Sequence, residues 1–188
     1  LSVVPCGNPD GLDLGVAPDN GAGGNPSVGY PPVGNFYNDP HQPEARYLWR
    51  WVHDSAPDLV WEVRAGERVH WEASEPFFHL FPHCGTALQP ASLPLDDSLL
   101  GALVGDAPGA LASIPALRLT CPIGELNTVL QTLWTGLTQS TAANRSLARQ
   151  ALESRMARSP RTVARVLAAA YGHQLDPVVY TQGVAISG

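Results

Sequence analysis

The sequence contains no lysine, so each of its 11 basic residues is an arginine. This absence excludes catalysis by a lysine Schiff base or a lysine nucleophile within the chain. Basic charge is also in the minority, because 17 acidic residues give the chain a formal net charge of −6. A phosphate backbone binds a basic surface, so the charge balance argues against nucleic acid as a partner.

Long hydrophobic runs are missing as well. No apolar run approaches the roughly 20 residues that a membrane-spanning helix needs, and we expect no membrane as partner. The first residues lack the basic segment and apolar stretch of a signal peptide, so no targeting segment is visible and the compartment is left open. The composition does not predict the oligomeric state.

Cysteine is scarce, with only Cys6, Cys84 and Cys121 among 188 residues. Three widely spaced cysteines form neither a disulfide framework nor a Cys-x-x-Cys zinc site, and they are typical of small buried side chains. Glycine and proline are abundant by contrast, at 18 each, and many lie between Gly7 and Asn38. That stretch predicts one long loop, and loops of this length inside compact domains often carry function.

The remaining sequence alternates between strand and helix signals. An apolar run at 1–5 predicts a buried strand, apolar residues at helical spacing predict a helix over 45–52, and 58–64 predicts a strand inside a sheet. Further strands are predicted over 114–120 and 178–186, and helices over 97–104, 124–137, 142–157 and 159–172. Strand, long loop, helix and strand in this order is typical of parallel pairing.

We therefore predict an α/β fold, with a mixed, mostly parallel sheet and helices on both faces. Length and composition fit a single domain spanning 1–188. Within it, residues 140–188 are expected to form a helical C-terminal part that links to a further element. The apolar run before Gly188 has no closing element after it, so we expect the chain to be a fragment.

Three short motifs follow one another in a distinctive order. Asn8-Pro9-Asp10-Gly11 follows the first predicted strand, Pro43-Glu44-Ala45-Arg46 begins the helix after the long loop, and Pro57-Asp58-Leu59-Val60 begins the next strand. In this order the motifs resemble the zinc metallocarboxypeptidase family, well over 1–66 and more weakly over 114–122. The resemblance implies a hydrolase of the peptidase class with a carboxypeptidase-like α/β fold that is truncated on its N-terminal side.

The family's chemistry depends on a zinc ion that polarises the scissile carbonyl and activates water. The resemblance places two ligands in a His-x-x-Glu motif upstream of the Asn-Pro-Asp-Gly turn, a position that would precede Leu1. The third ligand is a histidine at the end of the strand after the Pro-Asp pair, and Arg64 stands there. A guanidinium only donates hydrogen bonds and is always charged, so Arg64 cannot bind zinc. Its carboxylate partner is expected among Glu62, Glu67, Glu72 and Glu125.

Other site positions that the resemblance implies are also changed. The family's loop carries an Asn-Arg pair for the substrate carboxylate, and the nearest match is Asn35, without an arginine. Asn35 and Arg64 are therefore the candidate substrate-binding residues. Cys121 stands near the position of the catalytic glutamate, and Glu125 follows close behind it. These two are the catalytic candidates, with Cys121 as a thiol nucleophile in one alternative and as a core residue in the other.

Histidines offer a second route to a metal site. His79 and His83, with the adjacent Cys84, have the i, i+4 spacing of helical ligands, although Pro82 between them argues against a regular helix. His70 is a further candidate ligand on an extended segment. The alternative is that these histidines face solvent or are hydrogen-bonded without a metal.

Three hypotheses about function follow. The first is a divergent zinc-carboxypeptidase-like protein, a pseudoenzyme that is catalytically inactive as this chain and holds no cofactor. The second is a ligand-binding or scaffold module that keeps the old substrate cleft for a peptide or carboxylate ligand. The third is an active metallopeptidase or amidase whose zinc ligands lie upstream of Leu1, with zinc as the cofactor of the full-length protein. Whether the protein is an enzyme is left open.

Overall fold

The computed structural model describes residues 2–16, 18–31, 40–104, 112–139 and 145–170 of the chain. These residues form an α/β structure in which four strands make one sheet. The strands are β1 (Val60–Ala65), β2 (His70–Ala73), β3 (Ala91–Ser92) and β4 (Ala116–Cys121). The helices are α1 (Pro9–Leu14), α2 (Pro43–Ser55), α3 (Glu75–Leu80), α4 (Pro82–Leu88), α5 (Leu99–Val104), α6 (Leu126–Gln139), α7 (Leu147–Met156) and α8 (Pro160–Ala170).

By its internal contacts the chain divides into two compact units, 1–151 and 152–188. The first contains the sheet with helices α1 to α6, and the second contains α8. The behaviour of 1–188 as one domain, and of 140–188 as a helical C-terminal part, stays a prediction. Among the described residues, no helix is both long and apolar enough to cross a membrane.

Helix boundaries follow local signals in the sequence. Helix α2 begins at Pro43 and buries Trp49 and Val52, which belong to the helical spacing that predicted it. At the start of α8, the Ser159 hydroxyl accepts a hydrogen bond from the backbone N–H of Thr162 at 3.2 Å, as expected of an N-cap. Both helix predictions are confirmed. Their signals come from residues within one or two turns of each other, so they do not depend on the tertiary fold.

The sheet order is β1-β4-β2-β3, and its strands run in two directions. β1 pairs with β4 in parallel, β4 pairs with β2 antiparallel, and β2 pairs with β3 in parallel. Two strands thus run each way, and the prediction of a mostly parallel sheet is wrong. The reason is the connection at 66–69, because so short a loop cannot form the crossover that would return the chain to the start of β1. Strand β2 therefore runs back, antiparallel to β4.

Two strand predictions need correction. Strand β1 lies at an edge of the described sheet, not inside it, and its apolar start is explained by Trp61, which packs against the core. Residues 2–5 form no strand, and the side chain of Val3 is 70% exposed. Valine favours strands where neighbouring strands supply packing, and none of the described strands pairs with 2–5.

One core cluster lies on a single face of the sheet, because side chains alternate along each strand. Leu117, Leu119 and Cys121 of β4 face it, and their neighbours Trp71 and Ala73 on β2 lie on the same face. Helices α3, α4 and α6 cover this face through Phe77, Cys84 and Leu133. The other face of β4 carries Ala116, Arg118 and Thr120.

Helices α4 and α6 approach each other closely at Gly136. A Cβ atom added at Gly136 would lie 2.7 Å from the sulfur of Cys84, which is closer than packed side chains come. The Cys84 thiol is in no disulfide and is fully buried at this contact. Cys84 is thus a core residue at the point where the two helices meet.

Candidate functional site

A row of charged side chains crosses the face of the sheet opposite the core. The strand register places Glu62 of β1 beside Arg118 of β4, and Arg118 beside Glu72 of β2. Arg118 Nε donates to Glu62 Oε2 at 3.0 Å, and Arg118 Nη1 donates to Glu72 Oε2 at 3.3 Å. Cross-strand neighbours lie about 5 Å apart, so one arginine reaches a carboxylate on each side. We name Glu62, Arg118 and Glu72 the inner row.

Arg118 is buried, with 5% of its surface exposed. Its Nη2 donates to the Ser98 hydroxyl at 2.9 Å, immediately before helix α5. Burial by itself lowers the pKa of the Arg118 guanidinium, but the hydrogen bonds and charges of Glu62 and Glu72 outweigh burial and raise that pKa above its ordinary value. Arg118 therefore stays charged, and the inner row ties three strands to the segment that begins α5.

A second row lies one step nearer the carboxyl end of β4. The register places Arg64 of β1 beside Thr120, and Thr120 beside His70 of β2, on the same face as the inner row. Arg64 Nε donates to Glu62 Oε1 at 2.8 Å, so Glu62 binds one arginine through each of its oxygens. Glu62 is thus the partner of Arg64 among the carboxylates predicted for it. We name Arg64, Thr120 and His70 the outer row.

An open cleft of about 540 Å³ lies at the carboxyl end of β4. Thr120 and His70 of the outer row line it, together with Glu67, Arg68 and Val69 of the β1–β2 loop. This loop passes across the end of β4, because β1 and β2 flank that strand. The cleft lies at the carboxyl ends of the parallel pair β1 and β4, where open α/β sheets bind ligands, and at the amino end of β2.

Gly66 allows the β1–β2 loop to pass close to β4. Its backbone N–H donates to the Cys121 carbonyl at 3.0 Å, and an added Cβ atom would overlap the methyl group of Thr120. We predict that Gly66→Ala lowers the free energy of unfolding by about 1–3 kcal/mol, as measured by urea denaturation. The same substitution in a Thr120→Ser background should cost much less, because serine lacks that methyl. An equal loss in both backgrounds would contradict the overlap.

The long loop is anchored near these rows by Tyr30. The Tyr30 backbone N–H donates to the Asp97 carbonyl at 2.8 Å, and the Tyr30 ring packs on Trp49 of α2 with 6.0 Å between ring centroids. Burial raises the pKa of the Tyr30 hydroxyl, and the charges of Glu62 and Glu44 raise it further. Tyr30 therefore stays neutral and holds the loop against helix α2.

The catalytic and substrate-binding candidates are not gathered in one place. Asn35 lies outside the described residues. Arg64 belongs to the outer row, whereas Cys121 is buried on the core face of β4. Glu125 is exposed in the 3-10 turn before α6. Cys121 and Arg64 thus lie on opposite faces of the sheet, and the burial of Cys121 fits its core alternative.

Pro82 separates the histidines proposed as metal ligands, because α3 ends before it and α4 begins at it. His79 on α3 is exposed, with its Nε2 at 3.9 Å from a carboxylate oxygen of Glu75. His83 is exposed in the first turn of α4, whereas the adjacent Cys84 is buried in the core. The proposed set therefore does not share one surface.

A zinc ion does not fit the part of the chain that the structure describes. Within those ranges, no group of three or more His, Cys, Asp or Glu side chains is placed to hold a metal. His70 lies beside Thr120 in the outer row. The position that the resemblance implies for the third ligand carries Arg64, whose permanent positive charge opposes a cation.

One His-x-x-Glu spacing does occur, at His41 and Glu44, after the Asn-Pro-Asp-Gly turn and not before it. Glu44 Oε2 accepts a hydrogen bond from Asn20 Nδ2 at 2.7 Å, and His41 Nδ1 contacts the Ala22 carbonyl. Asn20 Nδ2 also donates to the His41 carbonyl at 2.8 Å. These contacts join the long loop to the start of α2, so this spacing has a structural role.

Arg118 was not identified from the sequence as a site residue. The signal was present, since Arg118 is the one charged residue in the apolar stretch 114–120. A charge on a buried strand needs partners, and the flanking strands supply Glu62 and Glu72. Which residues become those partners depends on the order of the strands in the sheet.

Comparisons with protein-family models, with curated proteins and with solved structures gave no match to this chain. The two rows and the cleft are therefore interpreted from their own geometry and charge.

Proposed function

We propose that this chain is a divergent carboxypeptidase-like protein that binds a ligand at the carboxyl end of its sheet and does not hydrolyse peptides by the zinc mechanism. The proposal is carried by the ion pair between Arg64 and Glu62, whose nitrogen and oxygen lie 2.8 Å apart. This pair stands where the resemblance implies the third zinc ligand.

The ion pair opposes a metal in two ways. The guanidinium of Arg64 is positively charged, so it repels a cation. Glu62 is already bound to Arg64 and Arg118, one through each oxygen. Recruiting Glu62 to a metal would remove a partner from buried Arg118. Zinc ligands supplied from upstream of Leu1 would face the same positive charge.

The cleft supports ligand binding independently of a metal. Its volume of about 540 Å³ lies within the range of small-molecule sites, which is about 300–1,000 Å³. The lining is mostly polar, because Glu67, Arg68, His70 and Thr120 surround one apolar side chain, Val69. Such a lining suits a polar or charged ligand, which charge-assisted hydrogen bonds would hold.

We expect the purified chain not to hydrolyse peptides with a free C-terminal carboxylate when zinc is added. We also expect that Arg64→His does not create tight zinc binding in a calorimetric titration. The described residues contain no set of three metal ligands, and the neighbouring carboxylate, Glu62, is bound to Arg118. Arg50→His provides the matched control, since Arg50 is an exposed arginine of α2.

Metal-dependent turnover that a chelator abolishes would contradict the proposed function. Tight one-to-one zinc binding by Arg64→His, but not by Arg50→His, would show that other ligands already meet at the end of β1.

A further inference from the structure

Two nitrogen atoms of the Arg64 guanidinium donate no hydrogen bond to any of the described residues. Its Nε donates to Glu62 at 2.8 Å, which holds the guanidinium in place at the end of β1. Nη1 and Nη2 have no partner among the described residues, and the side chain is 39% exposed. A guanidinium edge that presents parallel N–H groups binds a carboxylate in bidentate fashion.

The outer row adds donors beside this edge. Thr120 and His70 follow Arg64 across neighbouring strands on one face of the sheet. Strands lie about 4.8 Å apart, so the three residues span about 10 Å from β1 to β2. Thr120 and His70 also line the cleft, and Arg68 reaches it from the loop. Arg64 itself does not line the cleft, but its neighbour Thr120 does, so a ligand bound against Thr120 lies about one strand spacing, roughly 5 Å, from Arg64.

The acidic neighbours limit the charge that the cleft accepts. Glu62 partly neutralises Arg64, and Glu67 lines the cleft beside Arg68. A dianion such as a phosphate monoester would be repelled by these carboxylates, whereas a monoanion carries half that charge. A guanidinium binds carboxylates and phosphates alike in bidentate fashion, so charge and not geometry separates the two ligand classes here. The local charges thus favour a monocarboxylate.

We propose that Arg64 binds the carboxylate of a small organic monocarboxylate in the cleft at the end of β4, with Thr120 and His70 as supporting donors. This inference rests on the proposed function, because a hydrolytic zinc site would require Arg64 to be displaced. It goes further by naming the ligand class and the residue that recognises it.

Benzoate is a suitable probe for the full chain, and benzamide is its uncharged isostere. In an NMR titration we expect benzoate to shift the amide signals of 66–70 and of Thr120 in a saturable way. Benzamide should shift them at least tenfold more weakly, since a charge-assisted pair contributes about 1.5–3 kcal/mol. Phenylphosphonate tests the dianion and should bind more weakly than benzoate.

Two variants test the residue. Arg64→Gln should weaken benzoate binding about tenfold or more, while Arg50→Gln, at an exposed arginine of α2, should leave it unchanged. Thermal melting of both variants establishes that they are folded. Arg64→Lys should fall between the wild type and Arg64→Gln, because lysine keeps the charge but loses the bidentate edge.

Three results would overturn the inference: no saturable binding of benzoate, equal binding of benzoate and benzamide, or equal benzoate binding by Arg64→Gln and the wild type. Tighter binding of phenylphosphonate than of benzoate would overturn the ligand class. Each is distinct from failure of the proposed function, which would show as zinc-dependent turnover in the peptidase assay.

Discussion

Replacing Arg118 with methionine is expected to lower the free energy of unfolding by about 3 kcal/mol, the low end of what breaking a buried ion pair costs. Methionine retains an unbranched apolar side chain, but Glu62 and Glu72 lose the donor that lies 3.0 Å and 3.3 Å from them. The low end is expected because these carboxylates keep 30% and 20% of their side-chain surface exposed and can regain water. Urea denaturation followed by circular dichroism measures the loss.

Further variants test whether unpaired charge causes the loss of stability in Arg118→Met. In the Arg118→Met background, Glu72→Gln should restore part of the stability, because a neutral amide needs no counter-charge. Glu62 is left unchanged because it keeps Arg64 as a partner. Arg118→Lys should destabilise less than Arg118→Met, since it keeps one positive charge near both carboxylates. If the double variant is no more stable than Arg118→Met, unpaired charge is not the cause.

Phe77→Ala is expected to cost about 3–5 kcal/mol of unfolding free energy, as large-to-small changes in packed cores do. The Phe77 side chain is 0% exposed and belongs to the cluster that includes Leu117 and Leu119. Its ring centroid lies 5.4 Å from that of Phe81, so alanine would remove an aromatic contact as well as volume. Domains of this kind have about 5–15 kcal/mol of stability in total, so the variant should unfold at markedly lower urea concentration.

The neighbouring residue supplies the control. Phe78 lies on the same helix but is 36% exposed, so Phe78→Ala should cost clearly less than Phe77→Ala, about 1–2 kcal/mol. The two variants remove the same atoms from adjacent positions, so the difference between them measures burial. Equal losses would mean that α3 turns a different side toward the sheet.

Helices were predictable where short-range signals agree. Pro43 at the start of α2 and Ser159 before α8 act on backbone groups within one turn of the helix. Because these partners are close in sequence, their effect does not depend on the rest of the fold. The pairing of Arg64 with Glu62 was predictable for a similar reason. Residues two positions apart on one strand have their side chains on the same face. Arg64 Nε lies 2.8 Å from Glu62 Oε1.

Strand partners could not be read in the same way. The apolar start of β1 predicts an interior strand, but β1 lies at an edge of the described sheet. The apolar run at 1–5 predicts a buried strand, but residues 2–5 pair with none of the described strands. Hydrophobicity measures how strongly a segment avoids water, but it does not identify the segment that covers it.

Local signals in the sequence are sufficient for helices α2 and α8, for the apolar face of β4, and for the arginine at the implied third-ligand position. They do not show that Arg118 is held between two carboxylates, or that Thr120 and His70 lie in line with Arg64, because these arrangements arise in the tertiary structure. Arg118 is separated from Glu62 by 56 positions and from Glu72 by 46. Alternation along a strand assigns each residue to a face, but which residues become neighbours across a sheet depends on strand order, direction and register, and these are set by the packing of the whole chain.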